Sequence, residues 1–241
     1  MVNLLRNADP HGVYIMKQYR FQDIENKIVE RRLLYPVDVL LVGGTGTGKS
    51  STLNAIFGTE VAKVGSGVDP ETKVISAHKI HDYLRFHDSA GLGDGKATDF
   101  LHSKNITYEL LKPTTINDKQ YGFIDIVLVL LDGSLREMGT TYNLLESVVL
   151  KSIEPGRVIV AINQADLAMK GRYWNLVTNR PEKELAEFLE DKANSVIHRL
   201  HEATGLKISK PVCYSALYGY NINALMDHII HHLPVNRRLL S

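Results

Sequence analysis

A glycine-rich turn between an apolar strand and a helix is the feature that most limits how this chain can fold. Residues 43–51 read GGTGTGKSS, after the apolar run 37–42 (VDVLLV) and before a helical pattern that stops at Gly58. Glycines let backbone N–H groups converge on an anion, and the following helix presents its positive N-terminal end to the same anion. The run matches the pattern G-x-x-x-x-G-K-[ST], so it predicts a phosphate-binding loop that joins a buried strand to a helix.

Strand and helix patterns alternate along the rest of the chain. Most of the strand runs are apolar throughout, which is typical of a mainly parallel sheet covered by helices on both faces. The sequence therefore predicts a three-layer α/β fold, with ligands bound beyond the carboxyl ends of the strands. We expect strands at residues 37–42, 73–80, 83–87, 124–131, 157–162 and 211–214, helices at 14–34, 49–57, 98–111, 142–152, 181–203 and 221–233, and an irregular stretch at 113–122.

The composition excludes several classes of protein. The net charge of +1 creates no overall field toward nucleic acid or acidic lipid. The single cysteine, Cys213, excludes an intrachain disulfide. No apolar run approaches the roughly 20 residues that cross a bilayer, and the first residues lack the pattern of a secretory signal. We therefore expect a cytoplasmic protein with no transmembrane segment.

Each residue of the predicted phosphate loop has an expected role. Lys49 would reach the β- and γ-phosphates and neutralise the charge that develops during phosphate transfer. Ser50 would bind Mg²⁺ through its hydroxyl, and Ser51 would lie near the α-phosphate. Further nucleotide contacts are expected from the residues of the turn, which are Thr45, Gly46, Thr47 and Gly48. This loop alone does not separate ATP from GTP.

A second glycine-rich loop, DSAGLGDG at residues 88–95, follows a predicted strand. Asp88 at the strand end could hold Mg²⁺ through a water, and the Gly91 N–H could meet a γ-phosphate oxygen. Thr72, in the polar loop between the two motifs, could complete the Mg²⁺ shell and contact the γ-phosphate. Leu92 stands where a glutamine commonly positions the attacking water. Intrinsic hydrolysis should therefore be slow, or use another group, or need a partner.

A third motif, NQAD, follows the predicted strand at residues 157–162. Guanine carries an N1–H and a 2-amino group on one edge, and the Asp166 carboxylate could accept hydrogen bonds from both. Adenine lacks this pair of donors. Asn163 would bond guanine N7 or brace the phosphate loop. Gln164 stands where a lysine stem commonly stacks on the base, and it carries no charge.

A fourth motif follows the last predicted strand. It consists of Ser215, Ala216 and Leu217, and the Ala216 N–H could meet guanine O6. Each short motif alone is weak, but the four fall in order at strand ends and together provide phosphate, magnesium and base contacts. The base is therefore predicted to be guanine.

These motifs closely resemble those of the translation-factor (TRAFAC) class of P-loop GTPases, most of all the Era-like branch of ribosome-associated GTPases. The resemblance covers about residues 36–234 and rests on GGTGTGKSS, Thr72, DSAGLGDG, NQAD and YSAL. It implies a six-stranded, mostly parallel sheet with one antiparallel strand. We expect an N-terminal helical extension at residues 1–35 and a G domain at 36–241. The expected catalytic residues are Lys49, Thr72 and Gly91, and the expected metal ligands are Ser50, Thr72 and Asp88.

The sequence thus predicts a Mg²⁺-dependent switch that binds GTP and GDP and hydrolyses GTP slowly. By family analogy its partner is a ribosome or another RNA assembly. The phosphate loop is also similar to that of septin-related GTPases, which pair across their nucleotide faces. A nucleotide-dependent homodimer that assembles near a membrane is therefore the alternative. A P-loop ATPase or kinase is a weaker third interpretation.

Overall fold

The computed structural model describes residues 10–58, 76–89, 96–134 and 139–240 of the chain. Strands and helices alternate along it. The strands are β1 (Val37–Gly43), β2 (Ser76–His81), β3 (Leu84–Asp88), β4 (Pro113–Ile116), β5 (Lys119–Gly122), β6 (Ile126–Asp132), β7 (Val158–Asn163), β8 (Trp174–Asn175), β9 (Arg180–Pro181) and β10 (Val212–Cys213). The α-helices are α1 (Pro10–Arg31), α2 (Lys49–Phe57), α3 (Lys96–Leu111), α4 (Gly139–Leu144), α5 (Leu150–Ser152), α6 (Lys183–Thr204) and α7 (Ile222–His231).

Six strands form one sheet in the order β10–β7–β6–β1–β3–β2. All neighbours in it run parallel except β2, which pairs antiparallel with β3. The predicted fold class, a six-stranded and mostly parallel sheet with one antiparallel strand, is confirmed. The register places Leu41 beside Asp88 and Asp132 beside Asn163, so the carboxyl ends of four neighbouring strands meet at one edge of the sheet.

Helices cover both faces of the sheet, because the apolar side chains of each central strand alternate between two cores. In β1, Val39 and Leu41 face one core, while Leu40 and Val42 face the other. Side chains of α1, α2 and α7 fill the first core, and side chains of α3, α6 and the α4–α5 region fill the second. Among the described helices, none combines the length and apolar character needed to cross a bilayer.

The stretch at residues 113–122 is not irregular, as the sequence suggested, but forms the antiparallel hairpin β4–β5. Its two central turn residues, Asn117 and Asp118, have φ angles of 50° and 59°. Two consecutive residues with positive φ form the turn that best matches the twist of a hairpin, and asparagine and aspartate accept this conformation readily. The Asn-Asp pair between two β-prone runs was the signal for this hairpin.

Helix α1 is part of the packed structure rather than a detached arm. Ile24 and Ile28 are buried in the core that α7 also lines. Arg20 forms an ion pair with Asp227 of α7, which lies 207 positions away in sequence. The division into an extension at residues 1–35 and a G domain at 36–241 stays a prediction.

A buried ionic cluster closes the end of the sheet opposite to the converging loops. Arg237, from the segment after α7, lies 3.0 Å from the Asp38 carboxylate and 2.9 Å from the Asp125 carboxylate. The same Asp38 carboxylate contacts Arg85 at 2.5 Å and His87 at 2.7 Å. All of these groups except Arg85 are buried, so each charge depends on its partners for stabilisation.

The segment after α7 also pairs with the hairpin. The Gly122 N–H donates to the Arg238 carbonyl at 2.7 Å, and the Leu240 N–H donates to the Gln120 carbonyl at 3.0 Å. The Arg238 side chain donates to the Ser152 carbonyl at 2.6 Å and to the Leu110 carbonyl in the last turn of α3. The segment therefore connects the start of the sheet to the end of α3.

The two carboxyls of the ionic cluster have opposite pKa shifts. Burial raises the pKa of Asp125 to about 7, against the attraction of Arg237. Burial also acts to raise the pKa of Asp38, but hydrogen bonds from His87 and Arg85 hold it below its ordinary value. The protein therefore binds a proton at Asp125 over a pH range in which the unfolded chain has released it.

We predict that Asp125 makes the free energy of unfolding fall as pH rises from about 4 to about 7. A raised pKa means that the folded state holds more protons than the unfolded state in this window. Asp125 therefore lowers the free energy of unfolding by at most about 1.4 kcal/mol for each unit by which pH rises. Urea unfolding of the wild type and of Asp125→Asn, between pH 5 and 8, should show the wild type losing stability relative to the variant up to about pH 7. A constant difference between the two proteins would contradict this assignment.

Candidate nucleotide-binding site

The phosphate loop predicted from the sequence lies between β1 and α2. Gly46 and Gly48 have φ angles of 79° and 83°, a left-handed conformation that glycine adopts at little cost. A Cβ atom at Gly48 would lie 2.3 Å from the Asn163 side-chain nitrogen, so a larger residue there would displace the amide. The loop thus exposes its backbone N–H groups at the start of a helix, where anions bind.

The Lys49 ammonium folds back over this loop. Its Nζ donates to the Gly43 carbonyl at 3.2 Å and to the Gly44 carbonyl at 3.1 Å, and the side chain is buried. Thr47, also buried, donates its hydroxyl to the same Gly44 carbonyl at 2.9 Å. The loop is therefore held in shape by its own side chains, with a positive charge at its centre.

Two predicted metal ligands meet at the edge of the sheet. Ser50 Oγ, in the first turn of α2, donates to Asp88 Oδ2 at 2.8 Å. Asp88 is buried at the end of β3, beside Leu41 of β1. A hydroxyl and a carboxylate in contact next to a phosphate loop are the oxygen ligands that Mg²⁺ prefers. The other predicted ligand, Thr72, and the predicted catalytic Gly91 lie outside the described residues.

The third motif is hydrogen-bonded to the phosphate loop. Asn163 donates its amide to the Thr47 carbonyl at 2.9 Å and accepts the Ala216 N–H at 3.0 Å. Gln164, with a φ angle of 60°, donates its side chain to the Gly46 carbonyl at 2.7 Å. Asn163 therefore makes the bracing contact with the phosphate loop. The Ala216 N–H, expected to meet guanine O6, is donated to Asn163 in this structure.

Asp166 is the buried acid of the third motif. Its side chain is only 5% exposed, and its Oδ1 accepts no hydrogen bond from any residue that the structure describes. A buried carboxylate oxygen without a partner is costly, by roughly 1–3 kcal/mol. The two N–H donors on one edge of guanine would satisfy this carboxylate, so the donor set of the base and the acceptor set of the protein fit each other.

The fourth motif lies beside the third. Ser215 is buried and accepts the Tyr218 N–H through its hydroxyl at 3.3 Å. Leu217 is 57% exposed, which leaves an apolar side chain next to the motif that presents Asp166. An exposed leucine at this position could cover one face of a planar base. Of the remaining predicted contacts, Thr45 lies on the phosphate loop and Ser51 lies in the first turn of α2.

Sequence reasoning missed a second layer of residues that supports these loops. The Thr52 hydroxyl bonds the Gly48 carbonyl and the Tyr214 hydroxyl, each at 2.7 Å. Burial raises the pKa of Tyr214, so the phenol stays protonated. Lys192 of α6 donates to the Gly133 carbonyl at 2.5 Å. No motif marks these residues, because their roles depend on contacts between elements far apart in the chain.

Comparison with known proteins identifies a family that the chain matches. The family model described as "50S ribosome-binding GTPase" matches residues 38–164, which is just over half of the chain. The tRNA modification GTPase MnmE of Pseudomonas aeruginosa is 28% identical over 166 residues, and that of Pseudomonas paraeruginosa is 31% identical over the same length. Each match covers 67% of this chain and 34% of the relative, so the chain spans about a third of the length of these relatives.

Solved structures share the fold at lower sequence identity. Toc33 of Arabidopsis thaliana, in complex with GDP and Mg²⁺, superposes with a TM-score of 0.62 at 14% identity, over 93% of this chain and 94% of Toc33. Era, in complex with MgGDPNP and nucleotides 1506–1542 of 16S ribosomal RNA, superposes with a TM-score of 0.50 at 21% identity, over 85% of this chain and 59% of Era. These likenesses concern the fold alone.

The matched family region runs from the first buried residues of β1 to the third motif, and so contains the phosphate loop and the end of β3. The chain therefore belongs to the 50S ribosome-binding GTPase family and is a GTP-binding P-loop GTPase.

Proposed function

We propose that this GTPase is a Mg²⁺-dependent molecular switch with slow intrinsic hydrolysis. The observation that carries the proposal is the set of hydrogen bonds that join the loops at one edge of the sheet. Ser50 bonds Asp88 at 2.8 Å, and Asn163 bonds the Thr47 carbonyl at 2.9 Å. The residues proposed to contact phosphate and metal, and the motif proposed to contact the base, are thus bonded to one another, which supports a nucleotide that spans them.

In this proposal, Asp166 accepts the guanine N1–H and amino group, and Leu217 covers one face of the base. The backbone of residues 45–48 and the α2 N-terminus bind the phosphates. Lys49, anchored on two loop carbonyls, keeps its charge beside the β- and γ-phosphates as negative charge develops.

Ser50 and Asp88 would hold Mg²⁺, with Thr72 as a further ligand, and the ion would supply charge neutralisation on the phosphates. The side chain of Leu92 cannot orient a water molecule by hydrogen bonding, which supports a low intrinsic rate. Gly91 would sense the γ-phosphate through its backbone N–H. Hydrolysis then removes a contact that orders the loop, which is the basis of a switch.

Helix α3 provides a surface through which such a switch could be recognised. It begins at Lys96, directly after the second motif. Four large apolar side chains on it are more than half exposed, namely Phe100, Leu101, Tyr108 and Leu111. They recur at the spacing of one helix face, and an exposed apolar stripe of this kind is typical of a protein-binding surface.

The partner we propose is a ribosome or another RNA assembly in the cytoplasm. The matching family is that of 50S ribosome-binding GTPases, and the relative MnmE is a tRNA modification GTPase, which supports this choice. The alternative is a GTPase whose nucleotide state controls its own dimerisation near a membrane. The chain shares the fold of Toc33, for whose GTPase activity dimerisation is important, and this supports that interpretation.

We predict that Asp166→Asn lowers GTP affinity by at least about 30-fold. The substitution replaces an acceptor by an amide N–H₂ that would face the N–H donors of guanine, which leaves buried donors unpaired. Titration with fluorescent GTP analogues measures the effect. Xanthosine triphosphate, which carries a carbonyl in place of the 2-amino group, should bind the variant better than the wild type. Asp191→Asn, at an exposed site on α6, is the matched control. GTP affinity that survives Asp166→Asn would refute the base assignment.

We predict that Ser50→Ala removes most of the Mg²⁺ dependence of nucleotide binding. The hydroxyl is a ligand of the proposed ion, so the wild type should bind GDP at least tenfold more tightly with Mg²⁺ than with a chelator. The variant should show nearly the same affinity in both conditions. Ser195→Ala, at an exposed site on α6, should behave as the wild type. A wild type whose affinity ignores Mg²⁺ would rule out the proposed metal role.

The switch proposal predicts a monomer with GDP and with a non-hydrolysable GTP analogue. Gel filtration with light scattering measures the mass in each state. The rate of GTP hydrolysis should be low and independent of protein concentration, because no second copy completes the site. A dimer that forms only with the analogue, together with a rate that rises with concentration, would replace the switch proposal by the pairing alternative.

A further inference from the structure

A cleft of about 800 Å³ lies between the β8–β9 hairpin and the segment that leads into α7. It is distinct from the phosphate loop, Asp88 and Asp166, none of which line it. One wall is the second half of the hairpin, from Thr178 to Pro181, and the other is the stretch from Tyr218 to Ala224. This volume falls within the range of about 300–1,000 Å³ that is typical of ligand sites.

The lining of the cleft is polar and carries positive charge without negative charge. Among the described residues that line it, Arg180 is the charged one, and asparagine, threonine and tyrosine provide the other side-chain polar groups. Arg180 is exposed, and no carboxylate of the described chain pairs with it. An arginine in an acid-free cleft favours a ligand with phosphate or carboxylate groups.

Two aromatic rings of the cleft stand on a rigid support. Tyr218 and Tyr220 contact the buried Trp174, with ring centroids 5.4 Å and 5.5 Å away. Both tyrosines are partly exposed. Trp174 itself is fixed by the pairing of β8 with β9, which sets it beside Pro181. The cleft therefore offers preorganised aromatic surface to a planar ligand.

The hairpin also fixes the cation relative to the rings. Arg180 pairs with Asn175, whose side-chain oxygen accepts the backbone N–H groups of Val177 and Thr178 at 3.0 Å each. Burial raises the pKa of the Tyr220 phenol, and a hydrogen bond with the Asn221 side chain partly offsets this rise. Arg180 and Tyr220 thus line the same cleft from its two walls.

We propose that this cleft binds single-stranded nucleic acid, over a segment of one or two nucleotides. Bases would stack on Tyr218 and Tyr220, and Arg180 would contact the phosphate between them. Asn223, which also lines the cleft, would provide an amide group for a base edge, whereas the Asn221 amide donates to the Cys213 carbonyl at 3.0 Å and holds the cleft wall in place. Aromatic rings beside an arginine and free of acids are typical of sites that hold unpaired nucleotides. The inference deepens the proposed function and rests on its choice of an RNA partner, although the cleft shares none of the residues of the GTPase switch.

The fluorescence of a tryptophan beside the cleft can report binding at this site. Trp174 is the only tryptophan of the chain, and it contacts both rings of the proposed platform. The experiment uses the full chain saturated with GDP and Mg²⁺, so that the guanine site is filled. A ten-nucleotide oligouridine is titrated in, while tryptophan fluorescence is recorded, and the anisotropy of the same oligonucleotide carrying a fluorescein label is recorded in parallel.

We expect both signals to follow one binding curve, and a ten-base-pair RNA duplex to bind at least tenfold more weakly, because its bases are not available for stacking. Arg180→Gln should weaken oligouridine binding about tenfold and reduce the slope of log affinity against log salt by about 0.7, which corresponds to one phosphate contact. Tyr220→Leu should weaken binding by about tenfold, whereas Tyr220→Phe, which keeps the ring, should restore it.

Lys207→Gln removes the same charge from an exposed position that does not line the cleft, and it should bind as the wild type does. The proposal is overturned if oligouridine changes neither signal up to millimolar concentration, or if Arg180→Gln and Lys207→Gln lose affinity equally. Binding of fluorescent GDP, measured separately, should be unchanged in the cleft variants. Failure of the cleft proposal is thereby distinguished from failure of the proposed GTPase function.

Discussion

The side-chain amide of Asn163 is the contact on which the geometry of the nucleotide site depends. It donates to the Thr47 carbonyl of the phosphate loop and accepts the N–H of Ala216 from the fourth motif. One buried amide thus joins three loops that belong to three different strands. Its nitrogen also occupies the space in which a side chain at Gly48 would lie, so the conformation of the phosphate loop and the position of the amide determine each other.

The opposite end of the sheet is organised by charge rather than by amides. Arg237 lies between two buried carboxylates, and the chain segment that carries it pairs with the β4–β5 hairpin. The two ends therefore have different physical requirements. At the nucleotide end, one carboxylate oxygen of Asp166 accepts no hydrogen bond from the described residues. At the other end, the buried carboxylates pair with cationic side chains of the protein itself.

The sequence predicted the parts of the structure that depend on local pattern. Apolar runs and glycine turns located the six strands of the main sheet, and the order of the motifs predicted that the phosphate loop, Asp88 and the third and fourth motifs lie at one edge. The β4–β5 hairpin was missed because its strands lack the alternation of apolar and polar residues that predicts a strand. Its turn residues, Asn117 and Asp118, were the only indication of a hairpin. The β8–β9 hairpin was missed because each of its strands has only two residues.

Contacts between distant elements could not be predicted from one sequence. The bond between Thr52 and Tyr214 joins positions 162 residues apart, and Arg237 reaches Asp38 across 199 residues. Neither pair has a characteristic spacing, since the distance along the chain between two elements says little about which side chains meet. The folded arrangement alone identifies Tyr214 as a support of the phosphate loop.

The hydrogen bond from Arg238 to the Leu110 carbonyl fixes the C-terminal end of α3. The helix is tied at its C-terminal end, while its N-terminal end follows directly from the second motif. If that motif rearranges, the tie at the C-terminal end favours a swing of α3 about that end. Leu110 and Phe100 are about 15 Å apart along the helix axis, so a rotation of about 10° would carry Phe100 through roughly 2.6 Å. The exposed apolar side chains of α3 would thus move most at the end nearest the second motif and least where Arg238 holds the helix.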